Sequence, residues 1–271
     1  MILTPNGFLE IGGASLEYKW LAPATADAPT IVMLHEGLGS VGLWGDFPEQ
    51  LRSATGAGIF AYSRAGYGQS SGVGLPRPLD YMQREALDVL PKLLDAISFR
   101  RGLLLGHSDG ASIATIYAGA HHDQRLQGLV LMAPHFIVED LSIRSIAAIR
   151  TAYETTDLRA KLARWHRDVD AAFHGWNGAW LDPKFRAWDI SDSLAYIRVP
   201  ILLLQGANDQ YGTLRQVEIA QEECYCPVDI EIISGAGHSP HREAPGATLD
   251  VIEKFASAAL RDDQGLAGRV A

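Results

Sequence analysis

Ser108 sits at the centre of Gly106-His107-Ser108-Asp109-Gly110, a G-x-S-x-G pentapeptide that makes it a candidate nucleophile. A serine hydroxyl attacks carbonyls poorly at neutral pH and needs a base to take its proton. His238, in the glycine-rich stretch Gly235-Ala236-Gly237-His238-Ser239, is the candidate base. An acid must then orient the imidazole and stabilise its charged form. Asp209, in Gln205-Gly206-Ala207-Asn208-Asp209-Gln210, is the candidate, with Glu139 and Asp140 as alternatives. Together these side chains would carry acyl transfer, in which backbone N–H groups hold the developing oxyanion. One donor is expected from Asp109, the residue after the nucleophile. The other is expected from Gly37 or Leu38 in His35-Glu36-Gly37-Leu38-Gly39-Ser40, and the sequence leaves that choice open.

Each residue also has an ordinary reading: Ser108 as a helix N-cap, Asp209 as part of an Asn-Asp turn, His238 as one of nine histidines. Their placement on the predicted elements favours the chemical reading. Leu103-Leu104-Leu105 reads as a fully buried strand, and the stretch from Ala111 to Ala118 as a helix. Strand, sharp turn and helix around G-x-S-x-G form a nucleophile elbow. The turn needs small residues two positions either side of the serine, and Gly106 and Gly110 provide them. Asp209 is expected just past the Ile201–Gly206 strand, and His238 in the loop after the Val228–Ile233 strand.

Further along, Phe8–Ile11 and Ser15–Trp20 alternate around Gly12-Gly13 as a hairpin would. Buried strands are predicted at 30–34, 58–62 and 129–134, and helices at 47–54, 79–97, 214–223 and 247–260. Such alternation means a mostly parallel sheet covered on both faces. The rhythm breaks between Phe136 and Arg198. That stretch carries helical patterns at 141–153 and 158–173 and four tryptophans, Trp165, Trp176, Trp180 and Trp188. An all-helical insertion here would lie over the carboxyl edge of the sheet as a lid. Most of these tryptophans are expected in its core, with one or two among Trp165, Trp176 and Trp180 facing the pocket.

The 271 residues are 47% hydrophobic and 20% charged, a balance that suits a globular protein with a large core. A net charge of −9 argues against a nucleic-acid partner, which requires clustered positive charge. It also disfavours a strongly anionic substrate. No basic segment followed by an apolar run opens the sequence, so no secretory signal is expected, and no stretch suits a membrane span. Cys224 and Cys226, one residue apart, match neither a C-x-x-C redox pair nor a zinc site. They are expected to be ordinary thiols in a reducing cytoplasm.

These motifs resemble the α/β-hydrolase superfamily along nearly the whole chain. The resemblance implies an α/β fold with a mostly parallel eight-stranded sheet and helices on both faces. A helical cap at 136–198 would follow the sixth strand, between core segments 1–135 and 199–271. Ser63-Arg64-Ala65-Gly66-Tyr67-Gly68-Gln69-Ser70 is similar to the superfamily's D-x-R-G-x-G-x-S loop, with Ser63 in place of the aspartate. His35-Glu36-Gly37 departs from the usual His-Gly pair through Glu36, which places a carboxylate at the expected pocket mouth. Serine at the elbow argues against members with an aspartate nucleophile, such as haloalkane dehalogenases and epoxide hydrolases. Ser-Asp at the elbow with a small helical cap is similar to carboxylesterases, lactonases, amino-ester hydrolases and C–C bond hydrolases. For the Asp109 side chain this leaves two roles: favourable charge in the first helical turn, or contact with a cationic or hydroxylated substrate group.

The expectation is thus a serine hydrolase of a small carboxylic ester or lactone, acting through an acyl-enzyme on Ser108. No cofactor or metal is expected, and the partner is a small molecule bound by a monomer or homodimer. The alternatives are cleavage of a carbon–carbon bond in a vinylogous diketone, a perhydrolase or lyase, and a ligand-binding receptor without turnover.

Overall fold

A computed structural model describes residues 3–261; the ends of the expected core, 1–2 and 262–271, lie outside it. The strands are β1 (Asn6–Ile11), β2 (Ala14–Leu21), β3 (Thr30–Leu34), β4 (Gly58–Tyr62), β5 (Gly102–His107), β6 (Leu126–Met132), β7 (Ile201–Gly206) and β8 (Val228–Ile233). They form one eight-stranded sheet in the order β1-β2-β4-β3-β5-β6-β7-β8. β1 and β2 are antiparallel to their neighbours, and every pairing from β4 to β8 is parallel. The β1–β2 turn uses Gly12 and Gly13, both at positive φ, as a two-residue hairpin requires.

Alternate strand residues face opposite layers. Val32, Leu34, Leu104, Leu129 and Leu131 join one apolar cluster, while Ile31, Met33, Leu103, Leu105 and Val130 join the other. The first cluster is covered by α2 (Tyr81–Arg84), α3 (Leu90–Ala96) and α4 (Asp109–Ala120). The second is covered by α1 (Phe47–Thr55) and by a C-terminal helix, Pro245–Ala259, described below. The expected helix over 79–97 is interrupted by a π-helical turn at Glu85–Val89. The physical cause is Pro91, which has no N–H for the carbonyl of Leu87.

Between β6 and β7 the chain forms α5 (Asp140–Thr155), α6 (Leu158–Leu162), α7 (Val169–Trp180) and two short 3-10 helices. The expected 158–173 helix is two helices. Asp168 breaks it by accepting from the Ala171 N–H at 2.9 Å, the N-cap geometry that starts α7. His166 and Arg167 just before it turn instead toward other loops. After β7 come α8 (Arg215–Glu223), α9 (Pro240–Glu243) and α10 (Pro245–Ala259), the last being the helix over the second cluster. Among the described residues no helix is long and apolar enough to cross a membrane.

β5 and α4 meet too closely for side chains on the flanking glycines. A methyl at Gly110 would overlap the carbonyl oxygen of Leu34 on β3, and one at Gly106 would overlap the backbone of Gly110 and Ala111. Backbone cannot move aside as a flexible side chain can. Gly110→Ala is therefore expected to cost about 3 kcal/mol or more, read as a lower urea midpoint. A midpoint equal to the wild type would refute this contact requirement.

Candidate active site

Ser108 lies between β5 and α4 with φ 53° and ψ −120°, a conformation that a non-glycine residue holds only under strain. Its N–H donates to the Met132 carbonyl on β6 at 2.9 Å, and its carbonyl accepts from Ala111 at 2.8 Å. The next residue, Asp109, opens α4, where first-turn N–H groups have no intrahelical acceptor.

The loops after β7 and β8 converge on this serine. His238 Nε2 lies 2.9 Å from Ser108 Oγ, and His238 Nδ1 lies 2.9 and 2.8 Å from the two Asp209 carboxylate oxygens. Asp209 also accepts from the N–H groups of Tyr211 (2.7 Å) and Gly212 (3.2 Å) and from Gln205 Nε2 (2.7 Å). Burial raises the Asp209 pKa, but the His238 contact and the Tyr211 N–H outweigh it and hold the carboxyl below its usual range. The alternative acids are engaged elsewhere: Glu139 accepts from Thr213 and Gln216, and Asp140 pairs with Arg186.

The 35–40 loop lies across from the serine and is braced from below. His35 Nδ1–H donates to the Glu36 carbonyl at 2.7 Å, and His35 Nε2 accepts from the Arg64 N–H at 3.0 Å. The buried Arg64 guanidinium donates to the carbonyls of His35 and Glu36. Ser63, in place of the usual aspartate, still braces this loop: its Oγ accepts from Val41 N–H at 2.9 Å and donates to Glu17 at 2.7 Å. Glu36 faces His107 Nδ1 at 3.6 Å. Burial would raise its pKa, yet the His107 contact and the Arg242 charge hold it well below the usual carboxylate range. His107 Nε2–H donates to the His238 carbonyl at 2.7 Å, which links the loops that carry Glu36 and His238.

The helical insertion supplies the remaining wall. Trp176 lies over Gly37, where any Cβ would collide with the indole. His166 Nε2–H donates to the Leu38 carbonyl at 2.9 Å, while its Nδ1 accepts from the Gly68 N–H at 3.0 Å. Burial lowers its pKa, which matches a neutral ring that donates and accepts at once. His166→Ala would leave two inward-facing backbone groups without their partner. It is expected to lower stability by about 1–3 kcal/mol and to reduce activity through a looser 35–40 loop. A variant with wild-type melting temperature and turnover would remove His166 from this role.

The Asp109 carboxylate does not meet the cavity as a free charge. It accepts from Tyr81 Oη and, at 3.3 Å, from Trp180 Nε1 of α7, and burial raises its pKa. It sits in the first turn of α4, as expected, and also ties that turn to the helical insertion. The cavity of about 220 Å³ in front of Ser108 is lined by Glu36, Gly37, Leu38, Asp109, Trp176 and Trp180, with His107, His135, Ile146, Gln210, Tyr211, His238 and Ser239. Of the tryptophans named from the sequence, Trp176 and Trp180 line it. Trp165 does not: it lies over Gly42 beside a separate surface groove and is 41% exposed. The reason is the break between α6 and α7, which turns residue 165 away from the helix that faces Ser108.

Sequence reasoning missed His135, Tyr81 and His166. His135 stands just beyond the carboxyl end of β6, where open α/β sheets gather their ligands, and that position was the available signal. Tyr81 and His166 carry no such mark, because their partners are remote in sequence. Among the described residues no group of three or more His, Cys, Asp or Glu is placed to hold a metal ion. Cys224 and Cys226 are free thiols.

Residues 31–251 match the sequence profile described as the alpha/beta hydrolase family. A proline iminopeptidase from Lactobacillus helveticus is 25% identical over 230 residues, covering 71% of this chain and 78% of that protein. The monoglyceride lipase homolog of Monkeypox virus is 22% identical over 272 residues, covering 93% of this chain and 97% of that protein. Among solved structures, the proline iminopeptidase of Mycobacterium smegmatis superposes with a TM-score of 0.73 at 17% identity, covering 94% and 98% of the two chains.

Proposed function

This chain belongs to the alpha/beta hydrolase family, and we propose that it is a serine hydrolase of a small carboxylic ester or lactone. The observation that carries this reading is the unbroken chain from Ser108 Oγ through His238 to Asp209, opening on the cavity. His238 takes the Ser108 proton as the oxygen attacks the carbonyl, and Asp209 holds the imidazole and stabilises its charged form. The tetrahedral oxyanion rests on the Asp109 N–H and on that of Gly37 or Leu38. His238 then protonates the leaving alcohol, and water repeats the steps to release the acid. In this reading 136–198 is a cap over a core of 1–135 and 199–271, and Trp176 and Trp180 are its substrate-facing residues.

The cavity is smaller than the ~300–1,000 Å³ typical of pockets for drug-sized ligands, which supports a short acyl group. Its indole walls favour apolar acyl groups over anionic ones, in keeping with the ionised Glu36. The test is a series of 4-nitrophenyl esters of rising acyl length together with simple lactones. Turnover that falls steeply beyond short chains is expected. No turnover of any ester or lactone would overturn the reading, and release of two carbonyl products from a diketone without an alcohol would replace it with carbon–carbon cleavage.

A further inference from the structure

His135 takes no part in the transfer of protons described above, yet it is built into the wall of the same cavity. It is 2% exposed, and its Nδ1 is buried with no hydrogen-bond partner. A buried polar nitrogen without a partner is costly, and a phenylalanine or leucine would fill the same space without that cost. The residue is also held rigidly. Ser112 Oγ donates to its carbonyl at 2.6 Å, and Gln216 Oε1 accepts from the next N–H, that of Phe136, at 2.7 Å. The ring stands edge-on to Trp180 at 5.1 Å and lies 5.6 Å from the His238 ring. The Cε1 edge of the ring packs toward Gly212, where an added Cβ would stand 3.6 Å away in ordinary van der Waals contact.

Burial, and then the neighbouring His238, lower the His135 pKa to about 3, so the ring is neutral in ordinary buffers. A neutral imidazole has one donor and one acceptor nitrogen, and a hydroxyl, which both donates and accepts, can pair with whichever nitrogen it meets in either tautomer. A charged group fits less well. A cation would oppose the imidazolium that His238 becomes during attack, and an anion would share the cavity with ionised Glu36.

We propose that His135 is a specificity-determining residue that selects substrates with an uncharged hydroxyl group near the scissile carbonyl. The proposal rests on the serine-hydrolase reading and refines its substrate class. It makes His135 a group that touches substrate without joining the proton transfers.

The test compares ethyl butyrate, ethyl 2-hydroxybutyrate, ethyl 3-hydroxybutyrate and 2-hydroxyethyl butyrate by acid release in a pH-stat. The wild type is expected to prefer one hydroxy ester over ethyl butyrate by about tenfold in kcat/KM, the scale of one net hydrogen bond. His135→Phe should bring that ratio to within about twofold of one, and His135→Leu serves as a second loss variant. His135→Gln, which keeps a donor and an acceptor, should retain most of the preference. The ratio is taken within each variant, so a general loss of activity cancels. A wild type without hydroxyl preference, or a preference that survives in the Phe or Leu variant, overturns the proposal. Absence of any ester turnover in the wild type strikes the hydrolase reading itself, and with it this refinement.

Discussion

Ser108→Ala is expected to lower kcat/KM by on the order of 10⁴–10⁶, because in the proposed mechanism it removes the oxygen that forms the acyl-enzyme. The strained turn remains, since alanine has the same backbone demands and both flanking glycines are kept. Thermal unfolding should therefore change little while turnover nearly vanishes. His238→Ala should be about as severe, and the double variant scarcely worse than either single one, because groups acting as a unit are not additive. Intact mass after exposure to a fluorophosphonate gives an independent reading: one adduct on the wild type and none on Ser108→Ala. Turnover near the wild-type rate in either single variant would disprove the assignment. A folded wild type that takes no adduct and turns over nothing, yet binds small ligands, would make the protein a receptor on a hydrolase fold.

Asp209→Asn is expected to cost on the order of 10⁴ in kcat, and the hydrogen bonds around the carboxylate explain why. Three donors converge on it: the N–H groups of Tyr211 and Gly212 and the Gln205 amide. An asparagine would turn its carbonyl oxygen toward the Tyr211 and Gly212 N–H groups, which share one carboxylate oxygen, and its NH₂ toward His238 Nδ1 and Gln205. That forces Nδ1 to accept, moves the imidazole proton to Nε2, and leaves no base facing Ser108. Glu139→Gln, whose carboxylate bonds to Thr213 and Gln216, should change activity by less than about tenfold. A mild Asp209→Asn with a severe Glu139→Gln would move the acid to the end of β6.

The same carboxylate makes stability depend on pH. Its folded-state pKa lies below its ordinary value, so its contribution is complete above about pH 4 and is lost as pH falls through the depressed value. The gap in unfolding free energy between wild type and Asp209→Asn should thus be wider at about pH 6 than at about pH 3. Urea titrations at both values check this, and a gap independent of pH would contradict it.

The chain's local signals were enough for its sheet and its family. Runs such as Leu103-Leu104-Leu105 and Thr30-Ile31-Val32-Met33-Leu34 mark buried parallel strands, because both faces of such a sheet are covered and polarity cannot alternate. Gly106 and Gly110 around Ser108 mark the elbow, because backbone approaches there too closely for any Cβ. Those are demands on neighbours in sequence, and sequence expresses them directly. The tertiary structure alone decided the rest. It split the 158–173 helix at Asp168, turned Trp165 outward, and bound the Asp109 carboxylate to Tyr81 and Trp180. It also set His166 between Leu38 and Gly68, and His135 beside His238. Apart from the Asp168 cap, whose partner Ala171 is close in sequence, each of these depends on partners tens of residues away that meet only once the sheet brings its loops together. No local pattern of residue types records that meeting.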